Sequence, residues 1–143
     1  MKASRWLRAA AVLLALFFLG HTAGFLLPSK SSGPQEDAVL QAMKDFHFDA
    51  MGRDRTIWDF WQGFNFFTSV SLAILVVLTW QLARLGRRDP TLARPFASSL
   101  GVGLVLMAVV CWTFFFVAPA ALSTLAAACA FSARASLQRA PTA

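Results

Sequence analysis

Three stretches of the chain carry no charged side chain: residues 9–29, 60–83 and 95–133. A bilayer core of about 30 Å needs about 20 helical residues at about 1.5 Å each. The first two stretches therefore fit one membrane span each. The third would reach about 58 Å as a single helix, nearly twice the core. Pro119 lies inside it, where an unbroken helix cannot easily continue. The pattern predicts a hairpin there, with a turn at Ala118 and Pro119. The expected fold is all-α: a four-helix transmembrane bundle with spans near residues 9–29, 58–83, 95–117 and 119–134.

Composition agrees where it discriminates. Charged residues make up 14% of the chain, against about 25% in soluble domains. The net charge of +6 is not spread evenly. Lys2, Arg5 and Arg8, then Arg84, Arg87, Arg88 and Arg94, then Arg134 and Arg139 all fall on one side of a four-span chain. Lys30, Lys44, Arg53 and Arg55 fall on the other, in a longer loop that is also rich in acids. Basic residues in short loops beside spans stay in the cytoplasm. The expected placement is a cell inner (plasma) membrane, crossed several times, with both termini cytoplasmic and the long loop outside. The bilayer is the first partner, and the basic clusters suit anionic lipid headgroups. No nucleic-acid module accompanies the positive charge.

The basic start before an apolar run also describes a cleaved signal peptide. Here the run continues through Gly24-Phe25-Leu26-Leu27, and His21 occupies a place that cleavage reserves for a small residue. A retained anchor is the expectation. The two cysteines, Cys111 and Cys129, both fall in spans at similar depth. A disulfide between them is geometrically conceivable, while buried thiols acting as small hydrophobes are the plainer reading. There is no C-x-x-C pair for thiol chemistry.

Between spans one and two, Val39, Met43, Phe46 and Ala50 recur at helical spacing. They predict an extracytoplasmic amphipathic helix over residues 35–51, with Ser32 and Gln35 at capping-box spacing and Gly52 ending it. Thr56 and Asp59 again have capping-box spacing at the start of span two. That span opens with Trp58, Asp59, Phe60, Trp61, Gln62, Gly63, Phe64 and Asn65. On a helix, Asp59, Gln62, Asn65 and Ser69 fall on one arc of about 120°. Polar groups facing hydrocarbon are costly, so the arc should face the interior. Trp58 and Trp61 also suit an outer aromatic belt, and Trp6 and Trp80 an inner one.

His21 lies at matching depth on span one, between Gly20 and Gly24. A G-x-x-x-G pair lets helix backbones approach closely. The sequence thus nominates His21, Asp59, Gln62 and Asn65 as one polar site, walled by Trp58 and Trp61 and covered by Met43 and Phe46. The plainer alternatives are that His21 locks two helices together and that Asp59 only caps its own helix. Asp45 and Asp49 stand four apart with His47 on another face, which is not a metal-ligand pattern. No haem attachment motif is present, so no cofactor is expected. Thr22 adjoins His21 but projects from another face, and no catalytic residue is assigned.

Gly20-His21-Thr22, the Met43 to Phe46 helix, Trp58-Asp59-Phe60-Trp61-Gln62-Gly63-Phe64, Trp80, and Phe115-Phe116-Val117-Ala118-Pro119 together resemble an uncharacterised family of small bacterial four-helix membrane proteins. The resemblance covers nearly the whole chain and implies a fold and a membrane location, but no reaction. Trp61 stands where that pattern would have Tyr, and the chain has no Tyr. Two functions follow as expectations: binding of a small hydrophobic or amphiphilic molecule at the polar and aromatic site, or service as a structural subunit. In the second, the Ala- and Ser-rich fourth span packs within the bundle or against a membrane-protein partner.

Overall fold

The computed structural model describes residues 2–27 and 31–138. Pro28, Lys30 and Arg139 lie outside that set. Five helices and one small hairpin follow in order: α1 (Lys2–Leu26), α2 (Pro34–Asp45), β1 (His47–Asp49), β2 (Asp54–Thr56), α3 (Ile57–Arg88), α4 (Pro90–Phe114) and α5 (Val117–Gln138). The class is all-α, and α1, α3, α4 and α5 are each long and apolar enough to cross a membrane. The helices overrun the charge-free stretches because charge limits only the part in hydrocarbon. At 32 residues, α3 is about 48 Å long and exceeds the core by several turns.

Contacts divide the chain into two compact units, Met1–Gly20 with Leu72–Ala143, and His21–Ser71. The core of the first unit draws on all four long helices. Ala3, Leu7, Leu82, Ala83, Ala93, Ala97, Ala133 and Leu137 form one buried cluster. Leu14, Leu104, Ala126, Ala127 and Ala130 form a second. Alanine dominates both, as expected where apolar solvent removes the hydrophobic drive and close approach supplies the packing. Ala120, Ser123, Ala126, Ala127, Ala130 and Ala133 of α5 are buried within the unit, while Ala118, Ala128 and Ala135 are exposed. Ser123 donates back to the Pro119 carbonyl at 2.8 Å. Gly101 of α4 is the tightest glycine among the described residues: an added Cβ would stand 3.0 Å from the Phe131 ring, which would have to give by a few tenths of an ångström.

The predicted break at Ala118 and Pro119 is corrected: the helix ends at Phe114, and Pro119 sits in the first turn of α5. A proline lacks the N–H for the carbonyl four residues back, and its ring clashes with that carbonyl. That carbonyl belongs to Phe115, which leaves the helix with an extended backbone. Likewise α4 begins at Pro90, with Pro95 inside it, rather than at residue 95. Asp89 caps it by accepting the Leu92 N–H at 2.9 Å, and proline at the first position costs no hydrogen bond. Both cysteines are free thiols, Cys111 buried and Cys129 partly so.

The predicted helix over residues 35–51 is also corrected. It stops at Asp45, Phe46 turns to an extended conformation, and an antiparallel hairpin follows. Ala50 and Arg53 exchange backbone hydrogen bonds of 2.8 and 3.3 Å across Met51 and Gly52. Both central residues have positive φ, 55° and 82°, the geometry of the two-residue turns that match strand twist. The Gly52 N–H also donates to Asp49 Oδ1 at 2.7 Å. The expected Ser32 cap is not formed: Gly33 is the cap residue without a side-chain bond. Instead the Glu36 carboxylate accepts the Ser32 N–H at 2.6 Å.

Candidate functional site

His21, Met43, Phe46, Trp58, Asp59, Trp61, Gln62 and Asn65 all belong to the second unit, where the first half of α3 organises them. The helix starts where the sequence places it. The Thr56 N–H donates to Asp59 Oδ2 at 2.9 Å, and the Asp59 N–H donates to Thr56 Oγ1 at 3.1 Å. This is a capping box with Asp in place of Glu.

One face of α3 meets α1. His21 Nε2 donates to the backbone carbonyl of Asn65 at 3.2 Å, which places a proton on that nitrogen because a carbonyl only accepts. Thr22 Oγ1 and Ser69 Oγ share a hydrogen bond of 2.9 Å. The Asn65 side chain turns back to the Trp61 carbonyl at 2.8 Å. Phe25 packs between His21 and Phe66, with centroids 5.6 and 5.1 Å away. Gln62 Oε1 is buried and has no hydrogen-bond partner among the described residues.

The expected four-residue site is therefore redistributed. His21 reaches the backbone of Asn65 rather than Asp59, and each side chain named with it has its own local partner or, for Gln62, none. Geometry explains the exclusion of Asp59. It precedes Asn65 by six residues, about 9 Å along the axis, and lies about 120° around the helix. Its carboxylate is held on Thr56 at the very start of the helix. Trp58 and Trp61 stack on each other at 4.8 Å, and Lys44 Nζ sits 4.8 Å from the Trp58 ring centre, a cation–π contact that ties the end of α2 to α3. Met43 is half-buried and Phe46 exposed, its ring 6.2 Å from Phe48.

The close-packing role expected of Gly20 and Gly24 is corrected. A Cβ added at either would meet nothing within 4 Å, so α1 and α3 come together here through hydroxyl and imidazole hydrogen bonds. The spacing of two glycines reveals bare backbone, not what stands opposite it. His47 pairs with Asp54 at 2.9 Å on the exposed hairpin, and no cluster able to hold a metal ion occurs among the described residues.

The other face of α3 holds a feature that the sequence reading missed. Arg55, Asp59, Phe60, Gly63, Phe64 and Phe67 line a shallow, open groove of about 410 Å³. Its walls are aromatic, its floor is Gly63, and its charged groups, Arg55 and Asp59, stand together at one end. Gly63 leaves open space where another residue would carry a side chain. The signal was legible as Phe60, Phe64 and Phe67 at spacings of four and three around a glycine. No family model, curated protein or solved structure matches the chain.

Proposed function

We propose that the protein binds a small amphiphilic molecule along the Arg55–Phe67 face of α3. The observation that carries this reading is the pairing of a charged end with an aromatic trough on one helix face. Arg55 and Asp59 offer a donor and an acceptor to a polar head, and Phe60, Phe64 and Phe67 offer an apolar track to a chain. His21, Thr22 and Ser69 act in this reading as a lock between α1 and α3, leaving the groove as the binding face. The test is extraction of small molecules from protein purified in mild detergent, followed by mass spectrometry. An amphiphile enriched over empty micelles is expected, and Gly63→Leu, which fills the trough, should lose it.

The same proposal includes orientation: a plasma membrane, cytoplasmic termini, and the loop with the groove end of α3 outside. The arginine clusters on alternate junctions support it. Cysteine introduced at Ser31, in a background without Cys111 and Cys129, should react with an impermeant reagent added outside intact cells. Reaction only after the inner face is opened would reverse the topology.

A further inference from the structure

The first unit carries a second surface, at the end of α3 opposite the groove. Trp80, Arg84, Arg87 and Arg88 fall within about 100° of arc on that helix. All four are exposed, while Leu82, Ala83 and Gly86 on the other side are buried. The Arg8 guanidinium of α1 lies 5.7 Å from the Trp80 ring centre, which adds another cation to the same face. Above Trp80 on this face stands Val77, 54% exposed.

Among the described residues these cations have no partners of opposite sign. Six of the seven acids in the chain, Glu36, Asp37, Asp45, Asp49, Asp54 and Asp59, lie in the loop or at the start of α3. The seventh, Asp89, has its carboxylate on the Leu92 N–H. Among the described residues the one salt bridge is His47 to Asp54, which involves no arginine. A row of arginines beneath an apolar strip and an interfacial tryptophan matches the layering of a phospholipid, with acyl chain, glycerol and phosphate in that order.

We propose that the face formed by Val77, Trp80, Arg84 and Arg88, with Arg8 beside it, is a binding site for an anionic phospholipid. The headgroup phosphate lies among the guanidinium groups and a chain runs along Val77. The fit to a lipid rather than a soluble phosphate rests on the continuity of the arginines with exposed apolar helix surface. This inference is independent of the groove on the other end of α3.

The test is native mass spectrometry of the full chain in detergent with equal dioleoylphosphatidylglycerol and dioleoylphosphatidylcholine. The phosphatidylglycerol adduct should dominate several-fold, and excess glycerol 3-phosphate should not displace it. Arg84→Gln with Arg88→Gln should weaken that preference by about fivefold for each arginine. Arg53→Gln, in the loop, should leave it unchanged. Equal retention of the two lipids by the unaltered chain overturns the proposal, whether or not the variants fold. Displacement by glycerol 3-phosphate overturns it in favour of a soluble-phosphate site.

Discussion

Asp59 and Thr56 close a reciprocal pair of hydrogen bonds, 2.9 Å from the Thr56 N–H to the carboxylate and 3.1 Å from the Asp59 N–H to the hydroxyl. The pair fixes the first turn of α3 and holds Asp59 away from His21. Asp59 is also one of the residues that line the groove. Thr56→Ala removes one half of the box and should lower stability by about 1 kcal/mol. Thermal unfolding in detergent reads this directly. Because both bonds belong to one unit, the loss for Thr56→Ala with Asp59→Ala should be smaller than the sum of the single losses.

The α1–α3 contact should behave as a lock. Thr22→Val and Ser69→Ala each break the hydroxyl pair, and a double-mutant cycle should return a coupling of about 0.6 kcal/mol, the size typical of side-chain hydrogen bonds within membranes. A coupling of zero would mean that the two hydroxyls do not meet.

Two glycine sites should respond in opposite ways. Gly20→Leu and Gly24→Leu project into open space and should leave the melting temperature unchanged or raised, since leucine is the better helix former. Gly101→Leu drives a side chain into the Phe131 ring, 3.0 Å from where its Cβ would stand. Overpacking of this kind costs about 1–3 kcal/mol. Equal melting temperatures for Gly20→Leu and Gly101→Leu would show that the close approach of α4 and α5 is wrong.

The spans were readable from sequence because desolvated charge is so costly that its absence over about 20 residues has few other meanings. Their ends were less readable. Arg84, Arg87 and Arg88 are helical although they lie past the apolar run, and α4 starts at Asp89-Pro90, ahead of Arg94, because a cap and a proline rather than charge set its first turn. The hairpin was hidden by overlapping periods. Val39, Met43, Phe46 and Ala50 fit a helix, while Phe46, His47, Phe48 and Asp49 alternate as a strand does. The local geometry of Met51 and Gly52 favoured the second. At the site, the capping box was readable from spacing alone, but the face that each α3 residue presents to α1 was not. That depends on which glycines and aromatics stand opposite, and no single-chain pattern records it.

Acid should loosen the entry to α2. The Ser32 N–H bond to the Glu36 carboxylate holds that group below the usual glutamate range. A group whose value falls on folding contributes stability above its unfolded value, about 4.3, and loses it as pH drops through the lower folded value. The Ser32 amide resonance should therefore shift in strongly acidic solution, below the ordinary glutamate range, and Glu36→Gln should abolish the shift.

The reading of α3 as a helix with a locking face and a binding face is tested most directly by measuring stability and amphiphile retention together for Gly63→Leu and His21→Ala. Gly63→Leu should keep the melting temperature and lose the co-purifying amphiphile. His21→Ala should lower the melting temperature and keep the amphiphile in the fraction that stays folded. Retention by Gly63→Leu, with loss from folded His21→Ala, would contradict it and return the binding site to the imidazole.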